Sequence, residues 1–291
     1  MKAPAFEYHA PNSLEEVLAL LAKHGDEAKV LAGGQSLIPL LAMRLARPAQ
    51  VIDVNGIASL GGIDDRGDHL AFGAIVRERT AERSPVVRDK APLLAEALPF
   101  IGHVAIRNRG TIGGSIAHAD ASAELPAVAV ATGAEVLVCS VRGERTLLAE
   151  DFFKGHFTTA MADDECLVEV RVPAAPAGAG WSFQEVARRP GDFALVGVAA
   201  MVALDSSCSI RECRISLLGV APRPIRARRA EEALHGARPS AETFAAAAHE
   251  ATAELKPASD LHASASVRRH LAGVTVRRAL TTAAERAGGS L

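Results

Sequence analysis

Two stretches of the chain set adjacent glycines beside a hydroxyl residue. They are Ala32-Gly33-Gly34-Gln35-Ser36-Leu37 and Thr111-Ile112-Gly113-Gly114-Ser115, the second running on to His118 and Asp120. Glycine tolerates positive φ and lets a ligand approach the backbone closely, so successive N–H groups can converge on an anion. The Ser or Thr hydroxyl adds a neutral donor, and a helix opening after Ser36 would aim its positive end at the same spot. Two such loops, far apart in sequence, suit a diphosphate gripped from both sides. Neither contains the lysine of a triphosphate-binding loop and neither fits G-x-G-x-x-G, which disfavours a magnesium nucleoside triphosphate and an NAD held by that motif. Taken alone, each Gly-Gly is also an ordinary turn.

The other chemically capable residues carry less. Ser115, His118 and Asp120 supply the residue types of a hydrolase triad, but no G-x-S-x-G elbow surrounds the serine. His103 reads as a core or loop histidine bonded locally. Arg107 and Arg109 either brace the second loop, meet a partner or lie on a plain surface face. Cys139, Cys166, Cys208 and Cys213 never approach C-x-x-C spacing, so buried or inert thiols are expected and no iron–sulfur cluster in this chain. Arginines at 223, 226, 228 and 229, with Arg268-Arg269 and Arg277-Arg278, read as solvated helix faces in preference to a docking surface for acidic neighbours.

The elements that must position the loops begin with a helix. Ser13 and Glu16 form a capping box, Leu14, Val17, Leu18 and Leu21 share one face, and Gly25 ends it. Runs at Lys29–Leu31 and Gln50–Val54 read as strands of a small α/β unit. Short strands and turns follow, including His69–Ala74, then a helix starting near Ser122. A hairpin of Glu135–Ser140 with Arg145–Leu148 comes next, and then Leu167–Val172, whose alternation into Pro173 suggests an outer strand. Ala174–Gly180 is small and uncharged, a natural linker. Beyond it, strands at Ser182–Ala187, Ala194–Leu204 and Ile210–Val220 precede helices at Ala227–Leu234, Ala241–Leu255 and Ser264–Ala284, an α+β arrangement.

Bulk composition bounds the function. The 291 residues, 49% hydrophobic, suffice for one large or two modest cores, and at 4% aromatic the cores should rest on Ala, Val, Leu and Ile. A net charge of −2 without long runs of either sign argues against a nucleic-acid partner. The first residues lack a basic-then-apolar signal, and the longest apolar run is too short for a transmembrane segment, so a cytoplasmic protein is expected.

The loops AGGQSL and IRNRGTIGGSIAHADASAELP, with RRPGDFALVG and VRRHLAGVTVRRAL, closely resemble the FAD-binding medium subunit of bacterial molybdenum hydroxylases, the group of carbon monoxide, nicotine, quinoline and xanthine dehydrogenases. The likeness runs from the first helix to the last. It implies an α+β fold: an FAD-binding domain of the p-cresol methylhydroxylase and vanillyl-alcohol oxidase type at 1–177, with subdomains at about 1–56 and 57–177, and a small antiparallel sheet with helices at 178–291. It also implies that Ala32, Gly33, Gly34, Gln35, Ser36 and Leu37 face Thr111, Gly113, Gly114 and Ser115 across the FAD pyrophosphate. Glu124 and Asp120 become candidate polar contacts, Leu167 and Gln184 lie near the flavin, and Phe193 stands where some relatives place an aromatic ring. Gln184 replaces a Lys, Gln35 a His and Ser115 an Asn found in relatives, departures that bear on flavin potential and acceptor.

The resemblance further implies a large subunit with a molybdopterin-type molybdenum cofactor, a small subunit with [2Fe-2S] clusters, and a dimer of heterotrimers. This chain would relay electrons, with no acid–base catalytic residue and no metal of its own. Two rivals stand beside that reading. A self-contained oxidase of the vanillyl-alcohol type would need its own substrate cavity, yet the sole Tyr is Tyr8. A non-redox phosphate-ligand or assembly protein would have lost FAD, against which the intact loops weigh.

Overall fold

The computed structural model describes residues 2–289. The first unit comprises β1 (Glu7–His9), α1 (Leu14–His24), β2 (Ala28–Leu31), α2 (Leu37–Ala42) and β3 (Gln50–Asp53), its strands forming a parallel sheet ordered β1-β3-β2. The N-terminus of α1 is closed in both directions. Ser13 Oγ accepts from Glu16 N at 3.3 Å, and Asn12 N donates to Glu16 Oε2 at 2.8 Å. Val17 and Leu21 are buried on the face turned to Ile52 and Val54.

The chain then builds β4 (Ile63–Asp65) and β5 (His69–Gly73), followed by short helices α3 (Glu78–Arg83), α4 (Pro85–Lys90), α5 (Pro92–Ala97), α6 (Val104–Arg107) and α7 (Ile112–His118). Next come α8 (Glu124–Thr132), the hairpin β6 (Glu135–Ser140) and β7 (Gly143–Leu148), α9 (Ala149–Phe152), a small pair β8 (Phe153–Gly155) and β9 (Thr158–Thr159), and β10 (Cys166–Pro173). Five of these strands make an antiparallel sheet ordered β4-β5-β10-β6-β7. The expected outer strand is therefore the central one. Its Pro173 caps the far end opposite His69, where the missing N–H costs the ladder little. The helix expected from Ser122 starts at Glu124, because Asp120 Oδ1 first accepts Ser122 N in a turn at 2.8 Å.

The third unit is β11 (Gly180–Val186), β12 (Val196–Leu204), β13 (Ile210–Leu218) and β14 (Ile225–Arg226), then α10 (Arg228–Leu234), α11 (Ala241–Thr252) and α12 (Ala265–Arg286). Its antiparallel sheet is covered on both faces, by α8 on one side and by α12 and α10 on the other, with α11 packed on those two helices, so β12 is buried almost end to end. That burial explains why Ala194–Leu204 reads as one unbroken apolar run. Helix α8 has no polar stripe, since it is buried all round from Leu125 to Ala131 between the two sheets. Aliphatic residues dominate the cores, yet Phe72, Phe152, Phe153, Phe183 and Phe244 are their largest fully buried side chains.

Two arginines read as surface candidates are internal ties. Arg107 is 6% exposed and donates to Glu82 and to the Ile101 and Gly102 carbonyls. Arg268 is buried and donates to the Leu195 and Gly219 carbonyls and to Asp260, pinning α12 to the edge loops of its sheet. Charge-assisted bonds to carbonyls are what permit such burial. Cys166 and Cys213 are buried, Cys139 is half-buried and Cys208 exposed in a turn, all as free thiols.

Candidate functional site

The first diglycine segment leaves β2 at the sheet edge and turns through Gly34 at φ 72° into α2. The N–H groups of Gly33, Gly34, Gln35, Ser36 and Leu37 donate to no protein acceptor among the described residues. Ser36 holds the N-cap position of α2 without a side-chain bond, while Gln35 Nε2 folds back on the Gly33 carbonyl at 3.1 Å. A run of successive main-chain donors without partners is the donor set an anion satisfies.

The second diglycine is built differently from the expectation. Gly113 and Gly114 lie in the first turn of α7, not in an open loop, and neither has positive φ. Thr111 caps the helix, its Oγ1 accepting from Gly114 N at 3.0 Å, and Gly113 N donates to the Ala74 carbonyl at 3.0 Å. Ser115 N is also spent, on the Thr111 carbonyl. Glycine is needed at 113 for contact: a Cβ there would stand 2.6 Å from the Ala74 carbonyl oxygen and 2.7 Å from its Cα. The free donors are thus concentrated in the first segment, and the second acts as a rigid wall with the Ser115 hydroxyl among its polar groups.

The two segments meet directly. A Cβ on Gly33 would lie 2.9 Å from Gly110 Cα and closer still to the Arg109 carbonyl, and one on Gly114 would lie 3.8 Å from Ala32 Cβ. Leu167, on β10, is buried in the cluster that includes Ile112 and Ile116 of α7. Phe193 is 68% exposed on a loop whose Gly191 packs against Gly102 and the His103 ring. His103 itself is exposed and has no ring hydrogen bond among the described residues. Gln184 points to the other side of its strand. It bonds Ser182 Oγ at 3.1 Å and lines a groove with Val274, Arg277 and Thr281 of α12, whereas Phe183 and Glu185, one step out of phase, face the middle unit.

Comparison with known proteins decides what this arrangement is. The family described as "FAD binding domain in molybdopterin dehydrogenase" matches residues 4–175, and "CO dehydrogenase flavoprotein C-terminal domain" matches 181–283. The chain belongs to the FAD-binding medium subunits of molybdenum hydroxylases. It is 42% identical to the 6-hydroxypseudooxynicotine dehydrogenase complex subunit alpha of Paenarthrobacter nicotinovorans, over 99% of this chain and 97% of that one. Among solved structures, carbon monoxide dehydrogenase from Hydrogenophaga pseudoflava superposes with a TM-score of 0.96 at 42% identity, covering 98% of this chain and 99% of the other. Quinoline 2-oxidoreductase from Pseudomonas putida 86 gives 0.94 at 42% identity, covering 99% of each.

Within this medium subunit, buried acids surround the second segment. Glu78 is 4% exposed, its Oε2 has no partner, and its carboxyl fills the space beside Gly110 that a side chain would take. Burial, reinforced by the neighbouring Glu124, pushes its pKa up to about 8, against the pull of Arg107. Burial likewise raises Glu124 to about 7, with Asp120 adding to the rise, and Glu185 to about 8, with Glu124 adding. Burial lowers His118, so that it favours the neutral ring. Asp120 is spent on Ser122 N. Glu78, Glu124 and Glu185 fit a bound diphosphate because burial favours their neutral forms, which limits repulsion of an anion at the free amides. Glu78, Glu185, Asn55 and Arg77 all escaped the sequence reading, because nothing in their local pattern signals burial or long-range pairing.

Proposed function

We propose that this chain carries FAD in a molybdenum hydroxylase, holding it through the Ala32–Leu37 segment opposite Thr111, Gly113, Gly114 and Ser115. Glu124, Asp120, Leu167 and Phe193 would flank the cofactor along the middle unit, and Gln184 would act from the α12 side. Bound FAD supplies a two-electron carrier, able to take electrons one at a time and deliver them in pairs. A small subunit with [2Fe-2S] clusters would supply the electrons, a large subunit with the molybdenum cofactor would hydroxylate substrate, and an external acceptor would receive the electrons. Two such heterotrimers would form the cytoplasmic enzyme; no described helix is long and apolar enough to cross a membrane.

The protein's own part is to bind and orient. Five successive amides offer charge-assisted bonds, Gly33 and Gly34 keep the approach clear, and the buried Phe152, Phe153 and Leu167 cluster gives the middle unit a stiff floor. The observation that carries the reading is the run of unpartnered amides packed on the segment entering the second diglycine. The test is reconstitution of the purified full chain with FAD, read by the visible flavin spectrum after gel filtration. Stoichiometric flavin without substrate turnover is expected. A colourless protein would refute FAD binding, and turnover by the lone chain would favour a self-contained oxidase.

A further inference from the structure

The two diglycine segments come from different sheets, so something must fix their separation before a ligand arrives. Neither contains a cation. Just behind them stands Arg77, half-buried at the start of α3, in a short antiparallel bridge with Thr111. That bridge is closed by Glu78 N to the Gly110 carbonyl at 3.0 Å and Ile112 N to the Val76 carbonyl at 2.9 Å, which ties the Arg77 backbone to the entrance of the second segment.

The side chain then reaches across to the first. One guanidinium nitrogen donates to the Arg109 carbonyl at 2.6 Å, the carbonyl against which Gly33 packs. The other donates to Asn55 Oδ1, also at 2.6 Å. Asn55 in turn donates through Nδ2 to the Ala32 carbonyl at 2.8 Å and to Asp53 Oδ1 at 2.6 Å. Asp53 is held in place by its acceptance of Asn55 N at 2.9 Å and of the Tyr8 hydroxyl at 2.6 Å. The chain of contacts therefore runs from β1 and β3, through the Ala32 carbonyl at the foot of the first diglycine, to the backbone before the second.

We propose that Arg77 is a positioning residue for the dinucleotide: with Asn55 as its relay, it clasps the two diglycine segments at the spacing the diphosphate requires. The inference rests on the FAD reading given above. The planar fork sends a separate nitrogen to each acceptor from one rigid group, whereas a lysine at the same place would keep the charge but offer a single nitrogen on a shorter, flexible stem.

The test uses the full chain with FAD, following quenching of flavin fluorescence for the dissociation constant and thermal melting of the cofactor-free protein for integrity. Arg77→Gln should raise the FAD dissociation constant at least tenfold, in the folded fraction and with the melting temperature nearly unchanged, and Arg77→Lys should do no better. Asn55→Ala should weaken FAD by a similar factor, and the double variant by no more than the worse single, because both cut one relay. If Arg77→Gln fails to fold, Asn55→Ala and Arg77→Lys still decide. Affinity within twofold of the parent in these variants, recovery by Arg77→Lys, or additive losses would each overturn the clasp. A parent chain that takes up no FAD would bring down the underlying reading instead, which is a distinct result.

Discussion

Adding one methyl group at Gly33 should separate the two halves of the site. The new Cβ would stand 2.9 Å from Gly110 Cα and nearer the Arg109 carbonyl, whereas ordinary contact begins at 3.4 Å, and both obstacles are backbone that cannot rotate away. Parting the segments by roughly half an ångström, the shortfall at Gly110 Cα, stretches the bond that the Ser115 hydroxyl would make to a phosphate held by the first segment from about 2.8 Å past its usual limit of about 3.0 Å. Hydrogen bonds to a charged group are worth roughly 1.5–3 kcal/mol each. Losing that one lowers affinity by about 1.5–3 kcal/mol, on the order of tenfold to a hundredfold. Gly33→Ala is measured by titrating FAD into the cofactor-free chain. Gly273→Ala in α12 is the control, since its Cβ would meet nothing closer than Thr252 Cγ2 at 3.9 Å. FAD binding by Gly33→Ala within threefold of the parent would refute the argument that backbone contact between the segments sets the site.

Glu78→Gln should remove a pH-dependent loss of stability. The folded pKa, about 8, is raised above the unfolded value of 4.5, so the contribution is complete below pH 4.5 and is lost as pH rises through 8. The full shift corresponds to roughly 5 kcal/mol at most, at 1.36 kcal/mol per pKa unit. The variant should flatten the melting temperature between pH 5 and 9, and an unchanged slope would count against a protonated Glu78. Thr111→Ala should cost about 1 kcal/mol by uncapping α7, seen in urea unfolding, and no loss would contradict the cap.

The parts of the fold visible in the sequence were those with strong local codes. The α1 cap, the β6–β7 hairpin and the helices after residue 227 depend on neighbours within a few positions, and each lies within a few residues of its expected place. The order of strands depends on pairing across the molecule. Thus β10 alternates like an outer strand while β5 and β6 cover both its edges. Helices α3 to α6 are four to six residues long, too short to show a period, and Pro85 and Pro92 mark two starts only to a reader who already expects helix. The diglycines were legible as a site, but the second one's helical state was not. Glycine disfavours helix, and only packing on Ala74 makes it necessary there.

The parallel sheet of the first unit has consequences for how the protein behaves when empty. Its strands are three and four residues long, and one of its edges ends in the segment with unspent amides. So small a layer gains little from its own burial, and a ligand that bridges it to the five-stranded sheet adds mass-action stability to it first. The cofactor-free chain should therefore loosen from that corner, exchanging deuterium fastest around residues 30–40 and offering proteases their earliest cut. Supplying the dinucleotide would finish the folding of a region that sequence alone leaves marginal.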